Sequence, residues 1–290
     1  VPLKMLDEGL DKVVIDRLKL NPKEKIDLTQ WNEFLKKYKN PKSKIKIGLV
    51  GKYVELQDSY KSILEAFIHA GAVNEVEIEV VSIHSEHISN KNHEILLDGL
   101  HGLLVAPGFG ERGIEGKIKS VEYVRKNKIP FFGICLGMQM AVIEYSRNVL
   151  GLDTANSTEM TNDTMYPVID LMESQKNIKI KGGTMRLGSW ECLLTKNSLV
   201  SAIYGKSNIN ERHRHRFEFN NKFSKIIFSK TLKASGINPD TGLIEIIELK
   251  DHPWFVGVQF HPEYKSTVSE PHPLFVSFVS AALEYSKLKS

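Results

Sequence analysis

The sequence predicts an α/β fold: an open, mostly parallel sheet with helices on both faces and antiparallel additions. Three observations carry that expectation. From Lys44 onward, apolar runs alternate with segments of helical period, the signature of strand–helix–strand units. Between residues 153 and 250 the pattern is less regular, and alternating pieces such as Arg212 to Phe219 suggest antiparallel strands. The composition, 41% hydrophobic and 26% charged, fits a globular chain and excludes a disordered or fibrous one.

Residues 1 to 43 differ in pattern from the rest of the chain. Leu3, Met5, Leu6, Leu10, Val13, Val14 and Leu18 suggest short helical pieces, and Leu28 to Tyr38 another. The lysine-rich tract from Lys36 to Lys44 reads as an exposed linker. Ile45 to Val50 then reads as a buried strand. Asp58 or Ser59 is expected to cap a helix whose face is Tyr60, Ile63, Leu64, Phe67 and Ile68. Val76 to Ser82 and Gly102 to Ala106 are the next strands. Ile118 to Asn127 is read as a helix, Ile129 to Gly133 as a strand and Met138 to Tyr145 as a helix. Leu243 to Leu249 and Phe255 to Gln259 are late strands, and Pro273 to Tyr285 a closing helix. No internal repeat is present.

Charge and cysteine content narrow the function classes. The net charge is +4, and residues 1 to 44 hold all of it, with eleven basic and seven acidic side chains. The rest of the chain balances to zero, so no basic face points to nucleic acid as a partner. The longest mostly apolar stretch, Phe131 to Ile143, is too short to cross a bilayer, and a membrane partner is not expected. Only Cys135 and Cys192 occur, too few for a disulfide framework, and a cytoplasmic setting is expected. The chain begins with Val1, which leads to the expectation of a processed product or of a piece of something longer.

In an open parallel sheet, sites form beyond the carboxyl ends of the strands, and three such loops carry unusual residues. Gly133-Ile134-Cys135-Leu136-Gly137 matches a nucleophile elbow with cysteine in place of serine. Glycine at both flanks removes collisions with the nucleophile, and the following helix aims its amino end at Cys135, favouring the thiolate. The pentapeptide alone fits a buried packing cysteine equally well. Phe260-His261-Pro262-Glu263 shifts that balance. His261 emerges from a strand at the same sheet edge, where it can serve as base, and Glu263 can orient its second nitrogen. In Pro107-Gly108-Phe109-Gly110-Glu111-Arg112-Gly113, the N–H of Gly108 can join that of Leu136 in an oxyanion hole. Alone, this loop would be read as flexible.

Together these three segments resemble the class I (triad) glutamine amidotransferases. Gly51 to Ser62, Gly182 to Gly188 and Glu211 to Glu218 narrow the resemblance to the glutaminase half of the CTP synthase family. The likeness runs from about Lys44 to Tyr285, and Val1 to Leu20 is similar to the tail of that family's synthase domain. It implies residues 1–43 as tail plus linker and residues 44–290 as the amidotransferase domain. It implies Cys135 as nucleophile, His261 as base and acid, Glu263 as its orienter, and Gly108 and Leu136 as the oxyanion hole. For glutamine it implies Gly108, Leu136, Gly137, Met138, Gln139, Glu159 and Arg216. Arg216 suits the α-carboxylate and Glu159 the α-ammonium.

The resemblance implies no metal or cofactor in this chain, ATP and magnesium in the synthase domain, and GTP as an allosteric activator. L-glutamine and the synthase domain are the implied partners, with a homotetrameric full-length enzyme. This piece is expected to be monomeric or weakly dimeric. A γ-glutamyl hydrolase-like cysteine hydrolase shares the elbow and His261 but has no use for Arg212 to Glu218. A catalytically silent regulatory or assembly domain has no use for Cys135, His261 and Glu263.

Other features are read as structural. Gly48 to Tyr53 lacks the spacing of a phosphate loop and a Ser or Thr after Lys52. In Arg212-His213-Arg214-His215-Arg216, strand alternation puts the arginines on one face and the histidines on the other. Three cations oppose a metal, so an anion-facing strand is expected. Cys192 lacks an elbow and a nearby base.

Overall fold

The computed structural model describes residues 1–23, 25–161, 163–171 and 185–289. Its parallel strands are the apolar runs of the sequence. β1 (Ser43–Gly51) lies between β2 (Val76–His84) and β3 (Gly102–Val105); β4 (Phe131–Ile134) pairs with β3. The second partner of β4 is β12 (Phe255–Val258), also parallel. Beyond β12 the sheet turns antiparallel through β11 (Ile244–Leu249), β10 (Leu232–Ile237), β7 (Arg186–Leu194) and β8 (Asn208–His215). A smaller sheet holds β5 (Asn156–Ser157), β6 (Pro167–Leu171) and β9 (Phe217–Phe219).

The described helices include α1 (Pro2–Asp7), α2 (Leu10–Leu18), α3 (Thr29–Lys39), α4 (Lys61–Asn74), α5 (His93–Leu97), α6 (Ile114–Asn127) and α7 (Leu136–Asn148), with a closing helix Pro273–Lys289. Successive strand residues face opposite sides, which gives two cores. Phe131, Leu103 and Val105 pack toward α6 and α7, whereas Phe132, Leu104 and Ile47 pack toward α4 and the closing helix. On α4, Ile63, Ala66, Phe67 and Ala70 recur at helical spacing and are all buried.

Three expectations are corrected. Neither Asp58 nor Ser59 caps α4. Gln57–Tyr60 form a 3-10 turn, and Tyr60 stands at the cap position with no side-chain cap bond. The reason is Tyr60 itself, whose buried hydroxyl accepts the Lys52 N–H at 3.1 Å. The tract read as linker is half helix, since Lys36 to Lys39 form the last turn of α3. Lysines suit a helix carboxyl end, and the Phe34 ring of α3 lies 6.2 Å from the His69 ring of α4. Finally, Arg212 to Phe219 is not one strand. It breaks at Arg216, where the chain leaves β8, paired with β7, and enters β9, paired with β6. Gly182 to Thr184 of the family-like segment lie outside the described residues.

Candidate active site

β3, β4 and β12 are neighbours and run parallel, so the loops after them emerge side by side. There they line one cavity of about 290 Å³, whose walls include Gly108, Cys135, His261 and Arg214, with Phe109 and Tyr264 at its rim.

Cys135 occupies the elbow. Its φ of 53° and ψ of −104° are a backbone state that side chains rarely adopt. It directly precedes α7, and its own N–H donates to the Val258 carbonyl of β12 at 2.7 Å. The flanking glycines are needed for a reason other than the one expected. A Cβ on Gly133 would lie 2.7 Å from the Gly137 backbone, and one on Gly137 would lie 2.2 Å from the Val105 carbonyl oxygen. The closest collisions avoided are therefore with the elbow's own return and with β3.

His261 sits on the loop after β12, almost fully buried, and donates its N–H to the Arg212 carbonyl at 2.8 Å. Its Nδ1 lies 2.7 Å from Glu263 Oε1, and its ring stacks on Tyr264 at 5.0 Å. Nε2 is buried and has no hydrogen-bond partner among the described residues. Burial alone would push the imidazole pKa down. The sulfur of Cys135 and the carboxylate of Glu263 outweigh it and raise the pKa well above the ordinary value. This arrangement can keep an imidazolium beside a sulfur nucleophile.

Two lysines without a role in the sequence reading hold the loop that carries Gly108. Lys117 is wholly buried at the start of α6, and its Nζ donates to the Ala106 carbonyl at 2.8 Å. Burial, helped by the charge of Lys52 and opposed by Cys135, pushes its pKa down to about 7. Lys52 lies at the end of β1, and its Nζ donates to the Phe109 carbonyl at 2.5 Å and the Gly110 carbonyl at 3.3 Å. Lys117 was legible in principle, because it shares the helical face of Ile114, Ile118 and Val121. Lys52 was not, because its partners are backbone atoms more than fifty residues away.

The residues expected around glutamine spread over two sides of that loop. Gly108 and Leu136 are neighbours, since a Cβ added to Gly108 would lie 3.4 Å from Leu136 Cδ2. Glu159 accepts the Gly110 N–H at 2.7 Å through Oε1. Burial raises its pKa, against the pull of that N–H, Lys52 and Arg216. Glu159 and Arg216 are thus brought within electrostatic reach of each other, though neither lines the 290 Å³ cavity. Gln139 is turned to β9 and β12, donating to the Phe217 carbonyl at 3.0 Å and Gln259 Oε1 at 3.2 Å. Met138 is a core side chain, and Gly137 packs on β3. A neighbour not anticipated is Gln259, whose Nε2 lies 3.7 Å from Cys135 Sγ.

β8 alternates as expected. Arg212 and Arg214 are exposed, and His213 and His215 are buried. The histidines meet each other at 2.7 Å and face a buried set of charges, in which Arg186 Nη1 lies 2.7 Å from Glu245 and 3.6 Å from Glu218. Burial and the Arg186 charge hold both imidazoles neutral, with His215 pushed down to about 3. Glu245 is lifted to about 7 by burial. Cys192 is fully buried, and burial together with Glu245 and Glu211 raises its thiol far above the ordinary value. It is inert packing.

Comparison with known proteins shows the family. The family model described as Glutamine amidotransferase class-I matches residues 55–281. The chain is 65% identical over 285 residues to the CTP synthase of Flavobacterium psychrophilum, covering 98% of this chain and 53% of that protein. It is 61% identical over 289 residues to the CTP synthase of Cytophaga hutchinsonii, covering 100% of this chain and 54% of that one. The chain thus spans about half the length of the curated relatives it matches. Among solved structures, the Trypanosoma brucei CTPS glutaminase domain with bound acivicin matches with a TM-score of 0.78 at 35% identity. That match covers 83% of this chain and 94% of the other.

Proposed function

The chain belongs to the class I glutamine amidotransferases, and within them to the glutaminase domains of CTP synthases; from that membership we propose that it hydrolyses L-glutamine through a thioester on Cys135. The observation that carries the reading is the Cys135 elbow sharing a cavity with His261, whose Nδ1 is held 2.7 Å from Glu263.

In this mechanism Cys135 Sγ attacks the side-chain amide carbon of glutamine. The carbonyl oxygen becomes an oxyanion, received by the N–H groups of Gly108 and Leu136. The first N–H groups of a helix have no intrahelical acceptor, which leaves that of Leu136 available. His261 gives its proton to the amide nitrogen, the C–N bond breaks, and ammonia leaves. Water then attacks the thioester, His261 takes its proton, and glutamate departs as the thiolate is restored. Glu263 keeps the imidazole oriented throughout. Glu159 and Arg216 pair with the α-ammonium and α-carboxylate. Met138 is a core side chain and Gly137 packs on β3, so these two contribute only backbone from the first turn of α7, beside Gln139.

For the whole protein, the reading is ammonia supply to an ATP- and magnesium-dependent conversion of UTP to CTP on a synthase domain. GTP is its allosteric activator, and the assembly is a homotetramer in the cytoplasm. Residues 1–43 then join that domain to the glutaminase domain at 44–290. The support is the half-length identity to CTP synthases. Among the described residues no helix is long and apolar enough to cross a membrane, and both cysteines are free thiols. Ammonia release from L-glutamine tests the reading. Hydrolysis of γ-glutamyl peptides without ammonia release from glutamine would favour the γ-glutamyl hydrolase alternative, and no turnover of either a silent domain.

A further inference from the structure

We propose that Lys52 is a positioning residue for glutamine hydrolysis, acting with Glu159 to clamp the Phe109–Gly110 peptide from opposite ends and so set the aim of the Gly108 N–H. The proposal rests on the glutaminase reading above. In a peptide plane the C=O and N–H point in opposite directions. Here the oxygen, on Phe109, receives the Lys52 ammonium at 2.5 Å, and the N–H, on Gly110, is received by the Glu159 carboxylate at 2.7 Å. Both are charge-assisted hydrogen bonds, the stronger kind. Together they prevent the plane from rotating, one residue after Gly108.

The sequence of the loop makes such a clamp necessary. Gly108, Gly110 and Gly113 leave its backbone many accessible states, and Gly110 and Gly113 both sit at φ near +70°. Selecting one of those states needs contacts from outside the loop. The amino end is held at Ala106 by Lys117, and the middle is held only by the Lys52–Glu159 pair among the hydrogen bonds described. Lys52 is 6% exposed, so its ammonium has given up water for two backbone carbonyls. That exchange is unfavourable unless the carbonyls and the neighbouring Glu159 charge compensate it. Lys52 is itself fixed at its root, because Tyr60 Oη accepts its N–H at 3.1 Å.

Glu159 makes this more than a structural staple. The carboxylate proposed to pair with the α-ammonium of glutamine is the same one that holds Gly110. Recognition of the substrate's charge and orientation of the oxyanion loop therefore share one group. Lys52 touches neither reacting atom nor substrate, and its loss should appear in kcat rather than in KM.

The experiment compares Lys52→Met, Lys52→Arg and Glu159→Gln in the full chain with L-glutamine as substrate. Lys52→Met should lower kcat by about tenfold to a hundredfold, short of deleting an oxyanion donor outright, with KM within about twofold of wild type. Lys52→Arg should restore part of the loss, and Glu159→Gln should change KM and kcat together. Alkylation of Cys135 by iodoacetamide, which needs no oxyanion donor, should stay within about twofold in Lys52→Met. A rise in KM at constant kcat, no change in either, or a parallel collapse of alkylation would each overturn the proposal. Amide hydrogen exchange across residues 107–113 should accelerate by about tenfold or more in Lys52→Met while that of β1 does not change. Unaltered exchange would overturn the clamp. Absence of ammonia release by the wild type would instead fault the glutaminase reading, and the exchange measurement would still decide the clamp. If Lys52→Met fails to fold, Lys52→Gln carries the same comparisons.

Discussion

Lys117 donates its ammonium to the carbonyl oxygen of Ala106 at 2.8 Å from a position with no exposure to solvent, at the root of the loop that carries Gly108. A lysine so placed binds its proton more weakly than in the unfolded chain, with a folded pKa of about 7 against 10.5. Between those values the unfolded state holds one more proton than the folded state. Stability therefore rises with pH across that window, by at most about 1.4 kcal/mol per unit, and is lost as pH falls through about 7. Lys117→Met should remove this slope and stabilise the protein most near pH 6. Denaturant unfolding of both proteins from pH 6 to 10 measures it, and parallel curves would show that Lys117 is not the titrating group.

The two cysteines should separate cleanly. Cys135→Ala should abolish glutamine turnover and labelling by an electrophilic glutamine analogue. Cys192→Ala should preserve both, since burial keeps that thiol protonated. Mass spectrometry of the labelled protein locates the adduct, and a label on Cys192 would refute the assignment.

Glu263 should set the alkaline limb of the activity profile. In the proposed mechanism the imidazolium of His261 is the acid that releases ammonia, so activity should fall as pH rises through the His261 pKa. Glu263 is one of the two groups that raise that pKa. Glu263→Gln should shift the alkaline limb to lower pH and reduce kcat across the profile. A kcat/KM profile with an unmoved alkaline limb would mean that Glu263 does not act on His261.

Arg216 separates recognition from chemistry. If it pairs with the α-carboxylate of glutamine, truncating it leaves that charge without its partner, at a cost of about 2–5 kcal/mol for a desolvated pair. Arg216→Ala should lower kcat/KM for glutamine by roughly thirtyfold or more, since about 1.4 kcal/mol is tenfold. It should also erase the preference for glutamine over an amide that lacks the α-carboxylate. Iodoacetamide should still alkylate Cys135. Wild-type discrimination in the variant would remove Arg216 from the site.

The parallel core and the elbow were legible because local rules govern them. Ile45, Ile47 and Leu49, like Phe131 and Phe132, announce buried strands by composition alone. Gly133 and Gly137 announce a turn that only glycine can flank. Strand alternation by itself sorted Arg212 and Arg214 from His213 and His215. His261 and Glu263, two residues apart, were readable as a pair because a loop that short keeps both at one sheet edge.

Other features depend on distance in sequence, and no local pattern encodes them. Placing β4 beside β12, and so Cys135 beside His261, needed a strand order that alternation leaves open. Arg216 became the point where the chain changes sheets because β9 found β6 as its partner, a choice made by long-range pairing. The contacts of Lys52 stayed hidden because it binds main-chain carbonyls, and a carbonyl has no residue identity to read; the burial of Lys117 was readable from its helical face, but its carbonyl partner was not. The sequence by itself therefore determined the family, the fold class and the residues proposed to carry the chemistry. Only the tertiary structure decided how the loop that carries Gly108 is held, because that depends on backbone groups whose positions exist only once the sheet has formed.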